Sequence, residues 1–422
     1  MHKSIILFLK PYKYLVISGF AVVSITALLI ITPRPCYNDG FRNLSELQEY
    51  AKTIDEFIKM ENDNYNLPTY ESYYQKNFGP SVWKTIQEKL TWLLCSIGLK
   101  KKPPFSPCFL KTILKKVSAF RQSQKWDNLI VQKTIINKSS KIIAFGALQG
   151  AFHSLVRNLT KLKNLQIIDE KLKLQSPYFY VVFLGNVVDR SPYTLETFSV
   201  VLRLLEQNPF NVIYLKGTHE SSPQVWKQHT LGRELELKAY TVSTTQIPLE
   251  KEVSTFFESL PIAFYCTSTQ NFNEPIEYFK LSGFIEDKNI QDLMKEENIN
   301  AFLAQQNKQQ LETFALKSQN DKPTQRNVIL KAIITDIKKR DSYEEMNGLR
   351  LLSPIDGVAA WTVLSCPTEP YRHTMNFFYD AFTLISAANI SDWNITIFNR
   401  DIRIKENDYS TRSFSLFNGK AI

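Results

Sequence analysis

KIIAFGALQG (141–150), YFYVVFLGNVVDRS (178–191) and NVIYLKGTHE (211–220) decide how this chain is read. Each opens as a short apolar run with β-branched or aromatic residues and ends in a loop that begins with glycine. That is the pattern of a buried strand running into a tight turn. After the first run, Phe152, Leu155, Val156, Leu159 and Leu162 recur at helical spacing. After the second, Pro192 opens a helix whose apolar face includes Phe198, Val201, Leu202 and Leu205, proline being tolerated in a first turn. Strand, helix, strand, helix, strand at this spacing predicts parallel pairing in an α/β sheet. Ligands of such sheets sit at the carboxyl ends of the strands. The loops GALQG (146–150), GNVVDRS (185–191) and GTHE (217–220) are therefore the candidate site, and glycine at each turn lets the backbone come close to whatever is bound.

The rest of the chain sets limits around that unit. Its 422 residues suit two or three domains, and 44% hydrophobic against 22% charged residues excludes a wholly disordered or fibrous protein. The 51 Lys and Arg against 41 Asp and Glu leave +10, a balance that favours anionic partners. This excess is spread along the chain, so no specific nucleic-acid partner is expected. The five cysteines form no CxxC pair, and their odd number leaves at least one unpaired within the chain; a Cys95–Cys108 disulfide would require an extracytoplasmic setting.

Tyr14 to Ile31 runs without a charge. As a helix it would cover about 27 Å, near the thickness of the hydrocarbon core. No small-x-small cleavage site follows it, so the reading is a single-pass anchor, with an uncleaved signal as the alternative. Lys3, Lys10 and Lys13 on its amino side place that end in the cytoplasm and the bulk of the chain outside it. The division expected is a tail and anchor over 1–35, a helical region over 36–138 and an α/β domain over 139–422. In the helical region Val82, Ile86, Leu90, Leu93 and Leu94 fall on one stripe, and LKKKPPFSP (99–107) breaks it. Residues 286–345 are polar, and Ile329, Ile333 and Ile337 are spaced for a helix, so this stretch is expected to be a helical insertion beside the site. WTVLS (361–365), FTLISA (382–387) and NITIFNR (394–400) are predicted closing strands.

The three loops, in this order, resemble the signature of the calcineurin-like metallophosphoesterases, nearest the serine/threonine phosphoprotein phosphatase branch. That family carries Gly-Asp-x-His-Gly, Gly-Asp-x-x-Asp-Arg-Gly and Gly-Asn-His-Glu, each after a strand. TLETFSVVLRLLE (194–206), SLPIAFYC (259–266) and YFKLSGF (278–284) look like the family's next helix and strands, and the likeness covers roughly residues 140–285. It implies a β-sandwich flanked by helices. Two divalent cations would be held between the loops by Asp, His and Asn side chains.

This chain departs from the family at the metal positions. Ala147 and Gln149 replace the aspartate and histidine of the first motif, Asn186 the bridging aspartate, and Thr218 the asparagine of the third; Leu281 aligns with a later histidine. His373 is the nearest candidate for the final histidine ligand, without motif support. Hard dications want anionic oxygen or imidazole nitrogen, which these residues do not offer. No cofactor is therefore expected, and manganese, iron or zinc would enter only if the protein is active. What the resemblance retains is Asp189, Arg190, His219 and Glu220. In the family the first of these orients the histidine, which protonates the leaving group, while the arginine binds phosphate. The implied function is a membrane-anchored pseudophosphatase that binds a phosphorylated protein or a small phosphate ester. The alternatives are an active phosphoric-ester hydrolase with an altered metal site and a structural envelope-associated domain. The plainer reading of Asp189 and His219 is a hydrogen bond that ties two loops together.

Overall fold

The computed structural model describes residues 40–54, 59–60, 107–126, 131–221, 223–236, 249–268, 276–283, 312–313, 328–336, 348–355, 358–369, 378–387, 392–404 and 408–422. Among them no helix is long and apolar enough to cross a membrane; the apolar run 14–31 lies outside the described residues, as do the stripe from Val82 to Leu94 and His373.

The helices are α1 (Leu44–Ala51), α2 (Pro107–Ser123), α3 (Phe152–Asn164), α4 (Thr194–Gln207), the short α5 (Pro223–Lys227) and α6 (Thr230–Glu234), and α7 (Leu249–Glu258). The first strands are β1 (Lys59–Met60), β2 (Val131–Ile136), β3 (Lys141–Phe145), β4 (Phe179–Phe183) and β5 (Val212–Tyr214). Then come β6 (Ala263–Ser268), β7 (Ile276–Ser282), β8 (Glu312–Thr313), β9 (Val328–Asp336) and β10 (Leu349–Ile355). The last are β11 (Val358–Val363), β12 (Thr368–Glu369), β13 (Tyr379–Ala387), β14 (Trp393–Asp401) and β15 (Ser410–Ser415).

Two sheets face each other. One runs β15-β14-β13-β3-β4-β5 and the other β10-β11-β9-β7-β6-β2-β8, while β1 pairs with β12 apart from both. β3, β4 and β5 pair in parallel, as the opening motif predicts, with Ile142 opposite Tyr180 and Val181 opposite Val212. Because side chains alternate along a strand, each of these strands serves two cores. Ile142, Ala144 and Val182 point into the space between the sheets, among Phe264, Leu281, Ile334 and Trp361. Ile143, Phe145, Val181 and Phe183 point the other way, against Phe152 and Leu159 of α3 and Phe198 and Val201 of α4. The order is thus helices, six-stranded sheet, seven-stranded sheet. Such double burial is why the three runs read as continuously apolar.

Two expectations are corrected. Val131–Ile136, placed within a helical region, is a strand paired in parallel with β6. Its β-branched residues Val131, Thr134, Ile135 and Ile136 favour that state. Residues 328–336, expected to be helical, form β9 between β7 and β11. A spacing of four is one helical turn, but it is also two strand repeats, so it does not separate the two states. The flanking Ala332 and Ile334 are buried between the sheets, where a strand puts them. Cys266 and Cys366 are buried, and Cys266 is a free thiol.

Candidate functional site

The three loops meet at the carboxyl edge of β3, β4 and β5, where glycine allows contact. A Cβ on Gly185 would lie 2.4 Å from Cα of Gly217, and one on Gly217 would lie 2.3 Å from the backbone nitrogen of Asn186. The first loop is laced to the second by N–H groups of Leu148 and Gln149 donating to the Asn186 carbonyl at 3.1 and 2.8 Å, and of Gly150 to Val187 at 2.8 Å.

Glu220 fixes the second loop to the third. Its carboxylate accepts the backbone N–H groups of Asn186 (2.8 Å), Val187 (2.9 Å), Val188 (3.4 Å) and Gly217 (3.0 Å), together with the Tyr214 hydroxyl at 2.8 Å. The side chain is buried, so a carboxylate there must be satisfied by such donors. Burial and the adjacent Glu220 carboxylate push the Tyr214 hydroxyl well above its ordinary pKa.

Held this way, the second loop takes conformations that L-residues rarely adopt. Asn186, Asp189 and Arg190 have φ of 50°, 72° and 60°, and Gln149 in the first loop has 46°. Several left-handed non-glycine residues in two touching loops mark a strained site. The turn delivers Asp189 to His219, whose Nδ1 stands 2.9 Å from Asp189 Oδ2. The other oxygen, Oδ1, accepts the N–H of Leu231 in α6 at 2.9 Å. With its carboxylate taking Nδ1–H, neutral His219 keeps Nε2 as the acceptor. Asp189 is fully buried, and that burial pushes its carboxyl up to about 7, against the lowering effects of Leu231 N–H, His229 and Arg190.

Two residues of this network escaped the sequence reading. His229, just before α6, has its ring centroid 5.5 Å from that of His219. Burial holds its pKa below the ordinary value, Asp189 opposes the shift, and His219 and Arg190 reinforce it. Glu234 is buried and accepts the N–H groups of Thr194 and Leu195 at 2.9 and 3.0 Å, which caps α4 with a negative charge at its amino end. Neither residue lies in one of the three motifs, so only the folding of α6 onto the second loop brings them in.

The positions that correspond to metal ligands have other surroundings. Ala147 packs in a small apolar cluster with Ala151, Leu364 and Cys366. Asn186 Oδ1 accepts the His219 N–H at 3.0 Å. Gln149 is buried, and its side-chain oxygen has no hydrogen-bond partner among the described residues. Thr218 is exposed, and Leu281 is buried between the sheets. Among the described residues no group of three His, Cys, Asp or Glu side chains converges as a cation site. A donor set of one engaged amide, one buried amide and one hydroxyl does not fit a pair of dications. Arg190 is half-buried beside Asp189 and His229, and it is the cation of this network.

No protein-family model matches the chain. The catalytic subunit of serine/threonine-protein phosphatase 6 of Drosophila melanogaster is 28% identical over 95 residues, 22% of this chain and 28% of that protein. A putative serine/threonine-protein phosphatase of Schizosaccharomyces pombe is 28% identical over 109 residues, 26% of this chain and 32% of that protein. The matches thus span under a third of either relative. Among solved structures, a serine/threonine phosphatase from Saccharomyces cerevisiae with similarity to human phosphatase PP5 superposes with a TM-score of 0.42 at 16% identity, over 69% of this chain and 87% of that one. A cold-active protein-tyrosine phosphatase of a psychrophilic Shewanella gives 0.30 at 17% identity, over 42% of this chain and 51% of that one.

Two outcomes test this geometry. Glu220→Gln puts an NH2 group where backbone donors point, so we expect a loss of about 2–4 kcal/mol in denaturant unfolding; a change under about 0.5 kcal/mol would contradict the role of the carboxylate. Asp189 titrates at 3.8 unfolded and about 7 folded, so the native state binds the extra proton between those values. Its contribution to stability therefore falls as pH rises through that window. Asp189→Asn removes this dependence, so the melting temperature of the variant relative to the parent should rise from about pH 4 to about pH 7. A flat or falling difference would show that the carboxyl is not raised.

Proposed function

We infer that this chain, a member of the calcineurin-like metallophosphoesterase superfamily by its three ordered loops and its curated relatives, binds phosphorylated ligands without metal-dependent hydrolysis. The observation that carries the reading is the contrast within one site. Five positions that correspond to cation ligands are Ala147, Gln149, Asn186, Thr218 and Leu281, while Asp189, Arg190 and His219 keep their places and Asp189 holds the His219 ring. Arg190 presents a planar fork suited to phosphate oxygens. Asp189 accepts Nδ1–H and supports the imidazolium form of His219, whose Nε2–H then donates to a phosphate oxygen. Without a cation beside them these groups bind and orient, and nothing in the donor set generates a hydroxide. The ligand class is a phosphorylated protein or a small phosphate ester.

The second reading is a phosphoric monoester hydrolase that works with an altered site, favoured by the same Asp189–His219 pair, which is where a proton donor to a leaving group would stand. We further propose that Tyr14 to Ile31 anchors the chain in a membrane with the bulk of it extracytoplasmic, on the length of that uncharged run and the lysines before it.

A phosphoserine peptide titrated into the purified protein tests the binding reading. Arg190→Ala should weaken its affinity about tenfold or more, which corresponds to about 1.4 kcal/mol, with the melting temperature unchanged. Equal affinity in parent and variant would overturn it. Steady release of phosphate that His219→Ala abolishes would favour the hydrolase instead.

A further inference from the structure

We propose that a cleft on the outer face of α3 is a second binding site, for a phosphate group carried by a soluble phosphate ester or by a lipid headgroup. The cleft encloses about 490 Å3, within the range of small-ligand pockets. None of Gln149, Asn186, Asp189, Arg190 or His219 lines it.

Four cationic side chains from three elements converge there: Lys52 after α1, Arg157 and Lys161 on α3, and Arg400 on β14. The helix places its pair for a simple reason. Leu155, Leu159 and Leu162 face the core, so Arg157 and Lys161, four apart, share the opposite face with Thr160. Arg157 is fixed from beneath by the buried Asp380, with Nη2 donating to Oδ1 at 3.0 Å and Nε to Oδ2. α1 closes one wall, because Gln48 Nε2 donates to the Thr160 hydroxyl at 2.9 Å and His153 Nε2 lies 3.0 Å from the Ala51 carbonyl oxygen.

Charge then decides what the cleft takes. Among the described residues Asp408 is the one carboxylate that lines it. Against the four cations, Asp408 and the underlying Asp380 leave an excess of two positive charges among the described residues, which a phosphate dianion matches. Asp408 reaches Lys161 Nζ at 3.0 and 3.2 Å, but its side chain is 81% exposed. Exposed pairs contribute little and are readily exchanged. An incoming dianion therefore takes over Lys161 as Asp408 swings into solvent. Two guanidinium and two ammonium groups around a hollow suit a tetrahedral anion with oxygens pointing several ways; a planar carboxylate is satisfied by a single fork.

The test reads the full-length protein in an Arg190→Ala background, which removes the anion contact of the loop site and leaves the cleft alone to be measured. Pyrophosphate is titrated calorimetrically. We expect binding that Lys161→Gln with Arg400→Gln weakens about tenfold or more and that Asp408→Asn tightens. A merely structural Asp408 would give the opposite sign. Co-sedimentation with phosphatidylcholine vesicles, with and without about one-tenth phosphatidic acid, identifies the source of the phosphate. An increment on phosphatidic acid that the double variant loses assigns a lipid headgroup, and pyrophosphate binding alone assigns a soluble ester. No binding of either probe, equal binding by the double variant at an unchanged melting temperature, or weaker binding by Asp408→Asn overturns the proposal.

Discussion

A buried carboxylate that must find its hydrogen bonds organises this molecule. Glu220 sits among the ends of β4 and β5 and is met by four backbone N–H groups and a tyrosine hydroxyl. Those donors come from two loops far apart in sequence, so both loops are fixed relative to one another before any ligand is considered. The rest follows from that fixation. The second loop turns with three left-handed residues, Gly185 and Gly217 lie in contact, and Asp189 arrives beside His219 and the amino end of α6.

The same arrangement supplies protein donors to the carboxylates of the loops. A dinuclear site needs several carboxylates close together, whose mutual repulsion only metal charge offsets. Ala147 and Asn186, at two of the corresponding positions, carry no charge. Ala147 packs against Leu364 and Cys366, and Asn186 turns its oxygen to the His219 N–H. The carboxylates that remain, Glu220, Asp189 and Glu234, are each taken up by protein donors. The cation left in this network is the Arg190 guanidinium, beside Asp189 and His229.

Much of this was legible in the sequence, and the reason is periodicity. β3, β4 and β5 are buried on both faces, so they read as unbroken apolar runs, and α3 and α4 show clean helical stripes. Those runs define the loops, and the resemblance of the loops to the family's motifs singles out Asp189, Arg190, His219 and Glu220. β9 was misread because a spacing of four residues belongs to both periods, and β2 because a lone six-residue strand pairs only with segments more than a hundred residues away. His229 and Glu234 could not be found at all, since no local pattern says that the segment after the third loop folds back onto the second. The role of Glu220 was equally hidden, because a hydrogen-bond hub is a property of converging backbones and not of spacing.

The central claim is that these loops stand and bind through protein groups alone, in place of the family's metals. Calorimetric titration of the purified full-length protein with manganese, then with zinc, addresses it most directly. The account predicts no stoichiometric binding up to about millimolar metal and a melting temperature indifferent to chelator. One or two equivalents bound tightly, with a melting temperature that rises with metal and falls with chelator, would contradict it.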